Sequence, residues 1–308
     1  MAPKVGLVTN AEAWGKEADL ERDIKKVGWT QTPFLSTISS AAPANRSGLA
    51  AQGHRWYFDV QPNGDINNAH VEGSVPAPAK YYVGGELSNH YQIVKHTYGL
   101  SGSEKESVLV NGKPVLVDQF EKATMDHKKS LEMILLSDQA AVQRVNTTGA
   151  EIAGNCGGLK SFATVNNTIN ATGATLTLQF IRDLMKIGFM NGLNYSKMQL
   201  GDIQMDVIDD IMNSKIAVNA WGMEAIEDGV TRIKTKYGKC DLILNPFLAD
   251  DEIIPYDPSM IYKVNWRPMG THEIGRTRDA IEKEIISEIT LRVCHEYAFA
   301  YGKGLATS

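Results

Sequence analysis

Between two stretches that read as β-strands, HRWYFDV (54–60) and HYQIVKHTY (90–98), lie 29 residues, QPNGDINNAHVEGSVPAPAKYYVGGELSN, dense in proline, glycine and asparagine. This segment constrains the fold more than any other. The flanking stretches are aromatic and β-branched, as strands are. A structureless connection of that length is uncommon inside a compact domain. A lone two-stranded hairpin built from the flanks is too small to hold itself together in water. Its aromatic residues Trp56, Tyr57, Phe58, Tyr81, Tyr82 and Tyr91 therefore need a surface to pack on. The chain supplies that surface, or a neighbouring copy does.

The other segments read more conventionally. WTQTPFLSTISSAAPANRSGLAAQG (29–53) is rich in Ser, Ala, Pro and Gly, so the first 50 residues read as an extended arm with one short helix around Lys16–Val27. Residues 114–145 read as one long helix. Pro114 suits its first turn, and Val117, Phe120, Thr124, His127, Leu131 and Ile134 form an apolar stripe at helical spacing. Glu121, Lys122, Asp126, Lys128 and Lys129 occupy the other side. Thirty helical residues span about 45 Å. A second helix is expected over 175–192, capped by Thr175 or Thr177. It would bury Leu178, Ile181, Leu184 and Met185 and stop at Gly192. A third is expected over 202–214. Residues 283–297 alternate from Ser287 to Cys294. Ile289, Leu291 and Val293 face one way and Glu288, Thr290 and Arg292 the other, as in a half-buried strand. The class is α+β.

Composition narrows the function. The 308 residues are 43% hydrophobic and 22% charged, enough for a real core. Net charge is −5 and no block of Lys or Arg stands out, so the electrostatic footprint of a nucleic-acid reader is missing. Cys156, Cys240 and Cys294 are far apart and lack metal-ligand spacing, which reads as three reduced, mostly buried thiols. No signal peptide is visible and no stretch approaches the roughly 18 apolar residues of a membrane helix, so synthesis in the cytoplasm is expected.

Motifs that carry chemistry are weak. GNCGGLKS (154–161) misses the phosphate-binding loop because Leu159 stands where glycine must let the backbone approach phosphate. Its glycines read as a turn. His127 reads as a core or interface histidine. Cys294 and His295 would point to opposite faces of a strand, against a dyad. Asp206, Asp209 and Asp210 could hold a metal but read as a solvated helix face. Asp250, Asp251 and Glu252 in ADDE (249–252), between the apolar runs YGKCDLILNPFL and IIPYDPSMIYKVNWRP, read as a solvated turn without a His or Lys partner. No catalytic, cofactor-binding or metal residue is assigned.

One resemblance covers most of the chain in order. Tyr237-Gly238, Phe247-Leu248, Tyr256-Asp257, Trp266-Arg267-Pro268, Gly275–Arg278, Glu288, Thr290-Leu291 and Gly304-Leu305 occur in an order that resembles the C-terminal signature of tailed-bacteriophage major head proteins. TPFLSTIS (32–39) and GGLKSFATVNN (157–167) resemble earlier segments of that family. The resemblance implies the Hong Kong ninety-seven capsid fold. It maps an N-terminal arm onto 1–50, an E-loop β-hairpin onto 51–110, and a peripheral domain with a spine helix onto 111–174. The axial domain falls on 175–270 and a return strand of the peripheral domain on 271–308.

It further implies a structural, non-enzymatic protein without cofactor. Copies would assemble as pentamers and hexamers into an icosahedral virion shell, made in the host cytoplasm. The shell would enclose double-stranded DNA without sequence-specific binding and leave room for scaffold, portal and decoration proteins. Phe34 and Leu35 on the arm, and Trp56, Tyr57 and Phe58 on the hairpin, are then the expected intersubunit contacts, being residue types enriched in such patches. Three readings compete. One is an encapsulin-like nanocompartment shell with the same fold. Another is a metal-dependent hydrolase using Asp206, Asp209, Asp210 and His127. The third is a tail or connector component.

Overall fold

The computed structural model describes residues 27–43, 53–62, 64–81, 83–109, 111–216, 231–275 and 278–307. The chain forms helix α1 (Pro33–Thr37), strands β1 (Ser39–Ala41), β2 (His54–Phe58), β3 (Gly85–Asn89) and β4 (Gln92–Ser101), a single turn α2 (Gly102–Lys105) and the 22-residue helix α3 (Val115–Leu136). Next come β5 (Val145–Thr147), β6 (Ala150–Ile152), β7 (Thr168–Asn170), helix α4 (Leu178–Met190), β8 (Lys197–Leu200) and helix α5 (Asp202–Ile216). The last strands are β9 (Arg232–Thr235), β10 (Gly238–Leu244), β11 (Ile253–Tyr256), β12 (Ile261–Glu273), β13 (Ala280–Val293) and β14 (Tyr301–Lys303). The helix expected around Lys16–Val27 lies outside the described residues except for Val27, which is irregular.

Two sheets organise the molecule. The first has the order β1-β12-β13-β4. The long pairing of β12 with β13 is irregular between Asn265 and Gly270. Pro268 lies in that interval and has no N–H to donate to a ladder. The core on this sheet joins Leu131, Leu135 and Leu136 of α3 to Ile289, Leu291 and Val293 of β13 and to Phe34 of α1. The second sheet has the order β7-β14-β11-β8-β10-β9. Its core gathers Ile181, Leu184 and Met185 of α4, Ile208 of α5 and the inward residues Met198, Leu200, Ile233 and Leu242.

Helix α4 follows its sequence closely. The Thr177 side chain accepts the N–H of Phe180, Ile181, Leu184 and Met185 are buried, and Gly192 takes a left-handed φ of 74° just beyond Asn191. Helix α3 ends at Leu136 rather than near 145. Ser137 turns extended, and both its N–H and its Oγ–H go to the Ile134 carbonyl. The α3 stripe also shifts. His127 and Leu131 are buried as expected, but Val117 and Phe120 are exposed, and Val115 and Asp118 face inward in the first turn. The glycines of GNCGGLKS do turn the chain. A Cβ on Gly158 would sit 2.2 Å from the Ser137 carbonyl oxygen, so only glycine passes beneath the end of α3.

Three strand expectations change. The strand read over 54–60 ends at Phe58, and its partner is β3 rather than the 90–98 stretch. The latter is β4, which pairs along ten positions of β13 and belongs to the first sheet. Strand β13 is not half-buried. Residues 285–291 are buried on both faces, because α3 covers one and β3 with the 154–158 turn covers the other. Cys294 and His295 lie past its end, where His295 caps a short 3-10 turn by accepting the N–H of Tyr297.

Candidate intersubunit surface

The arm segment is locked from beneath. At the start of α1 the N–H groups of Phe34 and Leu35 have no helical partner. Both donate to the carboxylate of Glu132 on α3, each at 2.7 Å, and Asn245 Nδ2 donates to the same carboxylate at 2.8 Å. Glu132 is fully buried. Burial pushes its carboxyl above the usual range, against the pull of those donors. Phe34 is wholly buried by its own chain and meets Tyr256 edge to face at 5.5 Å. Leu35 is half-buried against the same core. From there β1 adds in parallel to β12.

The hairpin is anchored at its base. Asn89 uses every polar atom of its side chain. Its Nδ2 donates to the carbonyls of Gly157 (2.9 Å) and Leu291 (2.8 Å), and its Oδ1 accepts from the N–H of His90 (2.8 Å) and Gly157 (2.7 Å). Trp56 is 6% exposed and donates Nε1–H to the Val293 carbonyl at 2.9 Å. The Phe58 ring lies over Gly85, where a Cβ would come within 2.3 Å of it, and its edge meets His295 at 4.7 Å between centroids. Tyr57 points the other way and is 80% exposed. Of the five expected contact residues, then, Phe34 and Trp56 are buried within the chain, Leu35 and Phe58 are partly covered, and Tyr57 is free.

Beyond the base, the described positions of 59–84 hold only turns. Ile66 is 98% and Tyr81 89% exposed, and Val71, Val75 and Val83 are nearly as open. A groove of about 700 Å³ runs beneath the hairpin base, between Tyr57, Phe58 and Val60 on one side and Met190, Leu193 and Tyr297 on the other. Exposed apolar side chains in this number on one extension make it the candidate interaction surface.

The candidate catalytic residues do not converge. His127 is buried between α3 and β13. Its Nδ1 meets Nδ1 of His96 at 3.0 Å, and its Nε2 meets Ser287 Oγ at 2.8 Å. Asp206 and Asp210 are exposed on α5, with Asp209 half-covered. Among the described residues no group of three or more His, Cys, Asp or Glu could hold a metal. Cys156 and Cys240 are buried, and burial pushes their thiols up to about 11 and about 12. The ADDE turn is not wholly solvated. Asp250 is exposed, but Glu252 is buried. Lys160 Nζ donates to both its carboxylate oxygens at 3.1 and 2.9 Å, and Tyr301 Oη donates to Oε1. The lysine missing from the local sequence comes from 92 residues away.

His127 gives the protein an acid-sensitive joint. Burial, with the neighbouring His96, lowers its pKa to about 4. Asp126 opposes that shift and Lys263 adds to it. The unfolded chain protonates this side chain near 6.5 and the folded chain does not. The contribution of this side chain to stability is therefore fully present above pH 6.5 and is lost as pH drops from there towards 4, about 3 kcal/mol from this group. Urea unfolding midpoints across that range should show the slope, and His127→Gln should make it shallower, with His54, His90 and His295, lowered by burial as well, keeping the remainder. An unchanged slope in the variant assigns it to other groups.

The arrangement is a doubly anchored scaffold with an apolar extension, and its fold recurs in known structures. The chain superimposes on the capsid asymmetric unit of cyanophage A-1(L) with a TM-score of 0.68 at 11% identity, covering 98% of this chain and 99% of that one. A chain of Microbacterium phage Oxtober96 gives a TM-score of 0.62 at 11% identity over 97% and 99%. The holo-SrpI encapsulin complex of Synechococcus elongatus gives 0.60 at 9% identity over 94% of each chain. These likenesses give the fold, which is the Hong Kong ninety-seven-like capsid fold. No curated protein sequence matches the chain. The sequence of residues 6–306 matches the family described as SU10 major capsid protein, nearly end to end, so the chain belongs to that family and is a major capsid protein.

Proposed function

We propose that copies of this chain join as pentamers and hexamers and close an icosahedral shell around packaged double-stranded DNA. The observation that carries the reading is the 59–84 extension, whose apolar side chains have little cover among the described residues. Laid across a neighbouring copy, Ile66, Val71, Val75 and Tyr81 would find that cover. Tyr57 makes a direct intersubunit contact, with Leu35 and Phe58 at its margin. Phe34 and Trp56 contribute from within, by fixing the arm and the hairpin base. The role is structural and not catalytic. The functional division is an arm over 1–50, the hairpin over 51–110, a peripheral unit from 111–174 and 271–308, and an axial unit over 175–270. Scaffold, portal and decoration proteins are the further partners of such a shell, and the host cytoplasm is where its subunits are made. Net charge of −5 fits a wall that does not adhere to the genome.

The likeness to an encapsulin supports a second reading, a shell around protein cargo. Size-exclusion chromatography followed by negative-stain microscopy tests the shell itself. Closed particles, or free rings of five and six, are expected. A monomer or dimer at every concentration overturns it. Nuclease-protected nucleic acid inside particles isolated from the producing cell favours the first reading, and a co-purifying enzyme the second.

The hairpin residues separate by role. Tyr57→Ala should leave unfolding within about 0.5 kcal/mol of the parent, as exposed substitutions do, while raising the subunit concentration needed for assembly. Trp56→Ala should cost about 3–5 kcal/mol of folding stability. Assembly indifferent to Tyr57→Ala removes that residue from the contact.

A further inference from the structure

The outer face of the β9–β10 hairpin carries a pair of like charges. In the antiparallel pairing Lys239 stands opposite Lys234 and Asp241 opposite Arg232. Ile233, Cys240 and Leu242 are buried, so alternation places Arg232, Lys234, Lys239 and Asp241 together on the other face. Asp241 is already engaged. It bonds Arg232 and, at 2.8 Å, Lys197 of β8, and these cations hold its carboxyl down at about 2. Lys234 and Lys239 are exposed, and among the described residues no carboxylate pairs with either. Like charges directly opposite each other destabilise a sheet. Here they stand where β9 forms the sheet's edge.

Helix α5 shows the reverse. Asp206 and Asp210 lie one turn apart, both exposed, and among the described residues no cation pairs with them. Carboxylates at this spacing also disfavour their own helix. The spacings match. Residues directly opposite on an antiparallel pair lie about 5 Å apart, and residues four apart on a helix rise about 6 Å.

We propose that the Lys234/Lys239 face of one copy receives the Asp206/Asp210 face of α5 from a second copy. The contact rests on the shell-forming reading and deepens it. Both halves are present on one chain but on different surfaces, so the contact is heterologous, the kind that closes rings. Two lysines on a chain of net charge −5 make a poor track for a phosphate backbone, which needs several contacts for useful affinity. A matched pair of carboxylates needs only these two.

The test uses the full chain. K234E/K239E and D206K/D210K should each raise the subunit concentration for assembly about tenfold at low salt, and less at high salt. The four-fold variant, with both patches reversed, should return it to near the parental value. Thermal unfolding of every variant should match the parent, since all four residues are exposed. Assembly unaffected by either reversal overturns the contact and leaves the shell reading intact. So does a defect that the four-fold variant fails to repair. Normal assembly with weakened retention of duplex DNA in K234E/K239E overturns it in favour of a nucleic-acid surface. A parental protein that stays monomeric throughout overturns the shell reading and this contact with it.

Discussion

Replacing Glu132 by alanine should lower folding stability by about 3–5 kcal/mol, the range for removing one partner from a buried charged network. The carboxylate accepts two backbone N–H groups of α1 and one side-chain amide, all inside the protein. Each donor left without an acceptor costs about 1–3 kcal/mol, and the vacated side-chain volume adds to that. The damage should be local first. The 33–41 segment would lose its tie to α3 while its strand pairing with β12 remains. Limited proteolysis should therefore cut near 38–43 before global unfolding. Glu132→Gln should do less harm, since its carbonyl still serves one N–H while its amide opposes the other. Urea denaturation of the three proteins orders them. A midpoint for Glu132→Ala within about 0.5 kcal/mol of the parent would show that the arm is held by Phe34 packing alone.

Asn89→Leu should cost about 3–4 kcal/mol, for a related reason. Leucine fills the space but meets none of four bonds: two to backbone N–H groups and two to backbone carbonyls. These bonds tie β3, the 154–158 turn and β13 at one point. Hydrogen exchange should accelerate at His90, at Gly157 and along β3, while α4 on the other sheet keeps its protection. Equal acceleration on both sheets would mean that they unfold as one unit. Unchanged exchange at His90 and Gly157 would mean that water replaces the amide without loss.

What could be read in the sequence was local. Thr177 before an apolar face and Gly192 after it define α4 because cap and stop act within a few residues. What escaped was set by partners far along the chain. Glu252 looked solvated because Lys160 lies 92 residues away and Tyr301 lies 49. Strand β13 looked amphipathic because Ser287, Glu288 and Thr290 are polar. Each is buried among partners such as His127, Arg144 and Cys156 that alternation cannot reveal. GELSN was passed over as a strand since Gly, Asn and Glu disfavour strands. Its pairing comes from Trp56 and Phe58 opposite, and from Asn89, whose bonds are all long-range apart from His90. The helix read over 114–145 ran past its true end at Leu136, because a serine that ends a helix looks like any surface serine. Among the expected contact residues, aromatic type alone could not separate Trp56, facing inward, from Tyr57, its exposed neighbour.

The position of β14 sets a clock on folding. Among the described strands this one is last in chain order, yet it lies inside the second sheet, between β7 and β11. Its parallel pairing joins Tyr301 to Thr168, across more than a hundred residues of chain. Until it arrives, β7 has no neighbour in that sheet and β11 has an open edge. Buried Ala300 and the close approach of Gly302 to α4 are missing too. A growing chain can build α3, α4 and α5 early, from local contacts, but cannot complete the sheet beneath α4. Such distant pairing is slow. Its delay would keep unfinished subunits from presenting a finished surface to one another during synthesis.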